Sequence, residues 1–98
     1  MDFKVVWTDP AIEDLRQICA YISKDNTSAA RKVGNELLRH VETLSSFPLI
    51  GPPYPRRSEG IIREIVYRNY RIFYRVKEKT SEVEILTIWH GARGDPPI

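Results

Sequence analysis

Arginines dominate the part of the chain best suited to chemistry, residues 56 to 75. Six of them lie there, opposed only by Glu59 and Glu64: Arg56, Arg57, Arg63, Arg68, Arg71 and Arg75. A guanidinium donates paired hydrogen bonds to carboxylates and phosphates and stacks on bases, whereas the ammonium of lysine acts as a point charge. The cluster therefore indicates a surface for phosphate or for an acidic protein segment. A solvated sheet face crossed by ion pairs gives the same charge pattern and stays open as the alternative.

His90 and Arg93 form a second candidate site near the end of the sequence. Histidine titrates near neutral pH and can act as a general acid or base, and a nearby arginine can stabilise the charge of a phosphorane-like transition state. The alternative for His90 is a polar cap at the end of a strand. His40 and the single Cys19 lie far from it in the sequence, so no spacing typical of metal ligands occurs. We expect neither a metal nor a cofactor.

Length and composition limit what can surround these residues. The chain has 98 residues, of which 42% are hydrophobic and 29% charged, with a formal net charge of +2. This length supports one hydrophobic core, so we expect a single domain over residues 1–98. The lone Cys19 excludes an internal disulfide, and the longest uncharged run, residues 43–54, is broken by three prolines and cannot cross a membrane. We therefore expect a cytoplasmic protein with no membrane partner.

Two helices are predicted after a short first strand over residues 3–8. Asp9 and Pro10 signal the first helix start, because an aspartate side chain can accept free N–H groups and proline suits the first turn. Thr27 or Ser28 can cap the second helix in the same way. Each start is followed by apolar residues at helical spacing, which form one stripe on each helix. A short polar link joins the two, so they should form a helical hairpin.

The second half of the chain predicts a sheet. Residues 45–60 contain four prolines and two glycines and should form a crossing loop. Three β-rich runs follow over residues 61–67, 70–77 and 83–90, joined by tight turns, and an irregular tail comes after them. The predicted fold is α+β in the order β-α-α-β-β-β, an antiparallel four-stranded sheet with the helical hairpin on one face. The opposite face should stay partly open.

The run over residues 70–77 alternates between two kinds of side chain, which must lie on opposite faces of the sheet. One set is apolar and should join the core: Ile72, Tyr74 and Val76. The other set is a basic and aromatic strip expected on the open face: Arg71, Phe73 and Arg75. Function is therefore to be sought on that face.

Four segments of the sequence carry a family resemblance. They are Val-Val-Trp-Thr-Asp-Pro-Ala-Ile-Glu-Asp-Leu from position 5, Ile-Gly-Pro-Pro-Tyr from position 50, residues 63–76 and residues 85–93. Together with the β-α-α-β-β-β order, they resemble the RelE/ParE superfamily of toxins from bacterial type II toxin–antitoxin systems. The resemblance covers nearly the whole chain. Its most specific parts, residues 70–76 and 90–93, are similar to the closing motif of the ParE, or plasmid-stabilisation, branch.

The resemblance implies one of two activities. ParE-like members poison DNA gyrase without a known hydrolytic step, whereas RelE-like members cleave messenger RNA in the ribosomal A site. On the strand where RelE-like nucleases carry lysines, this chain has Arg63, Glu64 and Ile65, and its tail lacks their terminal tyrosine. Because a base and a stacking group are missing, we favour gyrase inhibition and no enzymatic activity. The alternative is a ribosome-dependent endoribonuclease.

Residue roles and partners follow as expectations from the resemblance. In the nuclease alternative, Arg71 and Arg93 stabilise phosphate and His90 donates a proton. In the gyrase hypothesis Arg71 is paired with an acidic group, and five residues bind partners: Arg63, Arg71, Phe73, Arg75 and Arg93. The expected partners are a cognate antitoxin, in a hetero-oligomer, and gyrase, or the ribosome and messenger RNA in the alternative. A third hypothesis is a non-toxic interaction module that retains only antitoxin binding.

Overall fold

The architecture follows the predicted order of elements. A computed structural model describes residues 2–54 and 62–98, so the predicted arginines at positions 56 and 57 lie outside the described residues. The elements are β1 (Lys4–Trp7), α1 (Asp9–Ser23), α2 (Thr27–Glu42), β2 (Ile62–Tyr67), β3 (Tyr70–Lys77) and β4 (Glu82–His90). Short 3-10 turns follow α2 at Thr43–Ser45 and β4 at Gly91–Arg93. In this described part of the chain, no helix is long and apolar enough to cross a membrane.

Both helices are capped by a residue that precedes the predicted ones, Asp9 for α1 and Thr27 or Ser28 for α2. The side chain of Thr8, not that of Asp9, accepts the N–H of Ala11 at 3.3 Å. Likewise the side chain of Asn26 accepts the N–H of Ala29 at 2.9 Å. The cap must have extended backbone so that its side chain reaches back over the first turn, and both Thr8 and Asn26 are extended whereas the next residue is already helical.

The strand order in the sheet is β1-β4-β3-β2. The last three strands form the predicted antiparallel meander, but β1 runs parallel to β4, from Lys4 opposite Glu82 to Trp7 opposite Ile85. The prediction of four antiparallel strands is therefore wrong for β1. The reason is that two helices and a long loop return the chain to the end of the sheet at which it started, so β2 and β4 both run in the direction of β1.

The main core lies between the helical hairpin and one sheet face. Its fully buried members come from both helices, the turn after α2 and the two central strands: Ala11, Leu37, Val41, Leu44, Ile72, Tyr74, Val83 and Ile85. Ile72 and Tyr74 thus occupy the core as predicted. The carboxylate of Asp14 fastens α1 to β4, where it accepts hydrogen bonds from the hydroxyl of Thr87 and the N–H of Ile88, the latter at 3.1 Å.

A second, smaller cluster occupies the opposite sheet face, which we call the second face. Phe73 is fully buried there with Tyr54 from the loop before β2 and Ile62 from β2. Ile98 of the tail, together with Leu86 and Trp89 of β4, packs against this cluster. The expectation of an open face with Phe73 on its surface is therefore wrong. The loop and the tail supply apolar side chains that cover it, because a phenyl ring exposed between two arginines would lose favourable burial.

Candidate functional site

Arg71 lies on the second face at the centre of a hydrogen-bonded group that we call the Arg71 cluster, formed with Glu64, Gly94 and Asp95. Its Nε donates to one carboxylate oxygen of Glu64, and Nη2 lies 3.3 Å from the other. Its Nη1 donates to the carbonyl oxygen of Gly94 at 3.0 Å and to the carboxylate of Asp95 at 3.3 Å. Each of the three guanidinium nitrogens is thus engaged with a group of this chain.

The Arg71 cluster keeps the guanidinium charged and fixed in place. Hydrogen bonding to Glu64 is the main cause that raises the pKa of Arg71 above its ordinary value, with a further contribution from Asp95 and an opposing one from burial. The guanidinium carbon also lies 4.9 Å from the centre of the Phe73 ring. Since Gly94 and Asp95 belong to the tail, Arg71 fastens the tail to the sheet in addition to pairing with β2.

Arg75 lies further along the same face. Its Nε is 3.4 Å from the carboxylate of Glu84, which Lys77 also approaches at 3.8 Å. The carboxylate of Glu84 thus faces two cations at this end of the second face. Arg75 also lines a cavity of about 810 Å³ together with Trp89 and the proline-rich tail. Of the predicted strip, Arg71 and Arg75 share the second face as expected, and Phe73 lies buried between them.

Arg63 and Arg68 act elsewhere in the structure. Arg63 donates to the carbonyl oxygen of Gly51 at 2.7 Å and so holds the loop that precedes β2. Arg68 donates to the hydroxyl of Tyr67 at 2.7 Å and lies 3.6 Å from the carboxylate of Glu36 on α2. Neither residue joins the Arg71 cluster. The six arginines predicted as one patch are therefore distributed over different surfaces, as far as the described ones show.

His90 lies on the helix side of the sheet, away from Arg71. Arg71 pairs with Trp89 across the strands and Tyr70 pairs with His90, so the two pairs project to opposite faces. His90 contacts Tyr70 edge to face, with ring centres 5.5 Å apart. Its Nδ1 accepts the N–H of Ala92 at 3.1 Å. The geometry does not bring His90 and Arg71 to one phosphate, which the nuclease alternative requires.

His90 opens instead onto a depression between α1 and the strand ends, which we call the α1 groove. Its volume is about 440 Å³, and its walls come from α1, β3, β4 and the final turn: Asp14, Gln17, Ile18, Tyr21, Tyr70, Ile88, His90 and Arg93. Burial is the main cause that raises the pKa of Tyr70. Arg93 lines the α1 groove, but its guanidinium lies 5.4 Å from the ring of Trp89, which belongs to the second face. Arg93 is therefore at the end of the sheet, between the two faces.

No group of three or more metal-ligating side chains occurs within residues 2–54 and 62–98.

The sequence analysis does not identify Glu64 and Asp95 as the partners of Arg71. A signal for Glu64 does exist, because the two-residue turn at positions 68 and 69 fixes the register of β2 and β3. Val66 then stands opposite Arg71, and Glu64, two residues before it, lies on the same face as a diagonal neighbour. For Asp95 no comparable signal exists, since the tail has no strand register.

Comparison with known proteins gives the family. Residues 5–94 match the family model described as the ParE toxin of the type II toxin–antitoxin system parDE. A protein of Sinorhizobium fredii named "Putative toxin Y4kP" is 34% identical over 97 residues, which cover 97% of this chain and 95% of the relative. The family model and this relative both span nearly the whole chain.

Solved structures share the fold at lower sequence identity. One is the toxin–antitoxin complex RelBE2 from Mycobacterium tuberculosis, with a TM-score of 0.71 and 23% identity over 92% of this chain and 99% of that one. Another is the chromosomal ParDE system from P. aeruginosa, with a TM-score of 0.73 and 23% identity over 90% and 95% of the two chains. The expected β-α-α-β-β-β fold and the family match agree. The chain belongs to the ParE toxin family and is the toxin of a type II toxin–antitoxin system.

Proposed function

We propose that this toxin inhibits growth by binding a protein target, DNA gyrase, and that a cognate antitoxin neutralises it in a hetero-oligomer. The observation that carries the proposal is the engagement of Arg71, the residue that the resemblance matches to the phosphate-stabilising arginine of RelE-like nucleases. All three of its guanidinium nitrogens donate within the Arg71 cluster. An RNA phosphate would have to displace Glu64 and Asp95, and so lose charge-assisted hydrogen bonds already made.

The position of His90 supports the same proposal. The nuclease alternative assigns proton donation to His90 and phosphate stabilisation to Arg71, but the sheet separates the two side chains. General acid catalysis requires the donor within hydrogen-bond reach of the leaving oxygen. The second face therefore suits binding to a protein surface better than it suits phosphodiester cleavage.

The family match adds further support. ParE-like members poison gyrase according to the resemblance, and the matching family model is that of ParE. Gyrase works on DNA in the cytoplasm, so the proposal implies a cytoplasmic site of action. A toxin of this kind, released when the antitoxin is lost, also accounts for the plasmid stabilisation that characterises the branch. On the second face, Arg75 is the arginine that can still offer donors to a partner.

A supercoiling assay tests the gyrase proposal. Purified toxin is added to gyrase and relaxed plasmid, and both supercoiling and protein-linked DNA breaks are measured. We expect inhibition together with trapped cleavage. Arg75→Gln should weaken inhibition about tenfold, as expected for one lost charge-assisted contact. The matched control is Lys79→Gln, which removes one exposed charge in the turn between β3 and β4 and should have no effect. Absence of inhibition at a large excess of toxin would overturn the proposal.

Two other experimental outcomes would replace the gyrase proposal with one of its alternatives. Primer extension on translated messages detects the nuclease alternative as A-site cuts that vanish in Arg71→Ala or His90→Ala. Induction of the toxin without its antitoxin detects the interaction-module hypothesis as unimpaired colony growth. Growth arrest without messenger RNA cuts is the result that agrees with gyrase as the target.

A further inference from the structure

The cavity of about 810 Å³ that Arg75 lines on the second face lies outside the Arg71 cluster, and we call it the second-face cavity. Four of its lining residues belong to the apolar cluster around Phe73: Ile62, Leu86, Trp89 and Ile98. Prolines from the start of α1 and from the tail also line it: Pro10, Pro96 and Pro97. Because proline has no backbone N–H, these residues add apolar surface without adding that donor. The volume is within the range of sites that hold small organic molecules.

The polar side chains at one end of the second-face cavity are already engaged. The hydroxyl of Thr8 donates to the carbonyl oxygen of Ile85 at 2.7 Å. The carboxylate of Asp14 accepts hydrogen bonds from the hydroxyl of Thr87 and from the N–H of Ile88 through a single oxygen. Its negative charge disfavours a second anion beside it. This end of the cavity therefore suits the uncharged part of a ligand.

Arg75 lies at the other end of the second-face cavity, where its guanidinium remains available. It stands opposite Glu84 in the sheet, and Thr87 lies three residues further along β4. The Nε of Arg75 is 3.4 Å from the carboxylate of Glu84 but makes no hydrogen bond within residues 2–54 and 62–98. Lys77 approaches the same carboxylate at 3.8 Å. Since 39% of the Arg75 side chain is exposed, a ligand can reach the guanidinium, whose geometry suits a carboxylate.

Trp89 provides an aromatic surface in the second-face cavity that is held in place by its neighbours. Its Nε1 donates to the carbonyl oxygen of Gly94 at 3.0 Å, and the guanidinium of Arg93 lies 5.4 Å from its ring. Arg71 donates to the same carbonyl oxygen and so fixes the start of the tail. Because the indole and the tail are both held before a ligand arrives, less entropy is lost on binding. An aromatic ring is the apolar group that matches the indole best.

We propose that the second-face cavity binds a small aromatic carboxylic acid. The carboxylate accepts hydrogen bonds from Arg75, and the ring packs against Trp89, Leu86 and the prolines of the tail. A nucleic acid strand suits this cavity less well, because it needs a row of cations along its phosphates. The inference goes beyond the proposed function, since it names a small-molecule ligand and requires neither gyrase nor an antitoxin.

NMR titration of the full-length toxin tests this proposal with naphthaleneacetate as the probe. The acid should shift the indole N–H signal of Trp89 and leave that of Trp7, which packs against the main core, unchanged. Naphthaleneethanol has the same ring without the carboxylate, and we expect it to bind at least about tenfold more weakly. Acetate, which has the charge without the ring, should cause no shift at the same concentration. Equal affinity for the acid and the alcohol would overturn the proposal, and so would absence of a shift at Trp89.

Two pairs of variants separate the contact with Arg75 from an effect of net charge. Arg75→Gln should weaken binding of the acid about tenfold and leave binding of the alcohol unchanged, whereas Lys79→Gln, in the exposed turn after β3, should change either affinity less than about twofold. Glu84→Gln removes the carboxylate beside Arg75 and should strengthen binding of the acid about threefold, and Glu78→Gln makes the same charge change in that turn without this gain. The second pair decides the question if Arg75→Gln fails to fold. Equal affinity of Glu84→Gln and Glu78→Gln for the acid would contradict the proposal.

Discussion

The hydroxyl of Tyr74 accepts a hydrogen bond from the backbone N–H of Gly51 at 2.9 Å, in the interior of the protein. Tyr74 is fully buried on β3, and Gly51 belongs to the proline-rich loop that precedes β2. One side chain therefore connects Gly51, outside the helices and strands, to the centre of the sheet.

Replacement of this hydroxyl should destabilise the fold. Tyr74→Phe leaves the buried N–H of Gly51 without its acceptor, so we expect the free energy of unfolding to fall by about 1–3 kcal/mol. Urea denaturation followed by circular dichroism measures the change. The matched control is Tyr21→Phe, since Tyr21 is 73% exposed and its loss should cost less than about 0.5 kcal/mol. Equal stability of the two variants would show that the Gly51 contact contributes little.

Gly51 itself should not tolerate a side chain. A Cβ atom at this position would lie 2.4 Å from the carbonyl oxygen of Glu64 and 2.8 Å from the hydroxyl of Tyr74. Because the first of these is backbone in a paired strand, it cannot move aside without disturbing β2. We expect Gly51→Ala to lower the free energy of unfolding by about 2 kcal/mol or more, measured by the same denaturation. At Gly94, where no heavy atom lies within 4 Å of the Cβ position, Gly94→Ala tests the positive φ alone.

High pH should weaken the fold through the buried tyrosines. Burial is the main cause that raises the pKa of Tyr74 and of Tyr70, so the native state favours the neutral phenols. The neutral phenols contribute fully to the free energy of unfolding below the tyrosine pKa of the unfolded chain, which is about 10. This contribution is lost as pH rises through the higher tyrosine pKa of the folded state. We expect the urea midpoint to fall above about pH 10. In Tyr74→Phe the decline should be shallower, and an unchanged decline would contradict this assignment.

Among residues 2–54 and 62–98, two residues other than glycine have a positive φ, and they allow a matched pair of substitutions. Ser81 and Arg68 both have φ of 54°, a backbone conformation that favours glycine. Ser81→Gly relieves this strain and should raise stability by up to about 1 kcal/mol after the entropy of the unfolded chain is counted. Arg68→Gly relieves the same strain but loses the contacts with Tyr67 and Glu36, so we expect no gain. Thermal unfolding of both variants is the measurement, and a gain in Arg68→Gly equal to that in Ser81→Gly would count against those contacts.

Opening the Arg71 cluster should increase affinity for polyanions. Glu64→Gln removes the carboxylate that engages Nε and Nη2 of Arg71, so the guanidinium becomes available to phosphate or sulfate groups. We expect elution from heparin at clearly higher salt than for the unmodified toxin. Glu78→Gln makes the same charge change in the exposed turn after β3 and serves as the control. Equal elution of the two variants would show that the effect is only one of net charge.

Local patterns in the sequence were sufficient to predict the helices, the three-stranded meander and the faces of β3. Apolar spacing determines these features, and each needs only neighbouring residues. The direction of β1 could not be predicted in this way, because its partner Glu82 lies far along the chain. The cover over Phe73 likewise depends on Tyr54 and Ile98, which belong to irregular segments.

The face of His90 illustrates the same limit at the candidate site. If the side chains of β4 alternated strictly after Val83 and Ile85, Thr87 and Trp89 would also face the core. His90 would then lie on the opposite face of the sheet. The register shift opposite Phe73 and Tyr74 adds one residue to β4, so Ile88 follows Ile85 into the core and His90 follows Ile88. A bulge has no reliable signal in a single sequence. The separation of His90 from Arg71 therefore emerged only from the structure.

The parallel pairing of β1 with β4 has a consequence for how a cell makes this toxin. Translation produces β1 first, yet the strand beside which it lies begins at Glu82, so the sheet is incomplete while most of the chain already exists. Until then Asp14 also lacks Thr87 and Ile88, and α1 has no attachment to β4. Such long-range closure delays folding. A chain that ends before β4 therefore lacks the strand to which both β1 and α1 attach, so the sheet closes only when synthesis is nearly complete.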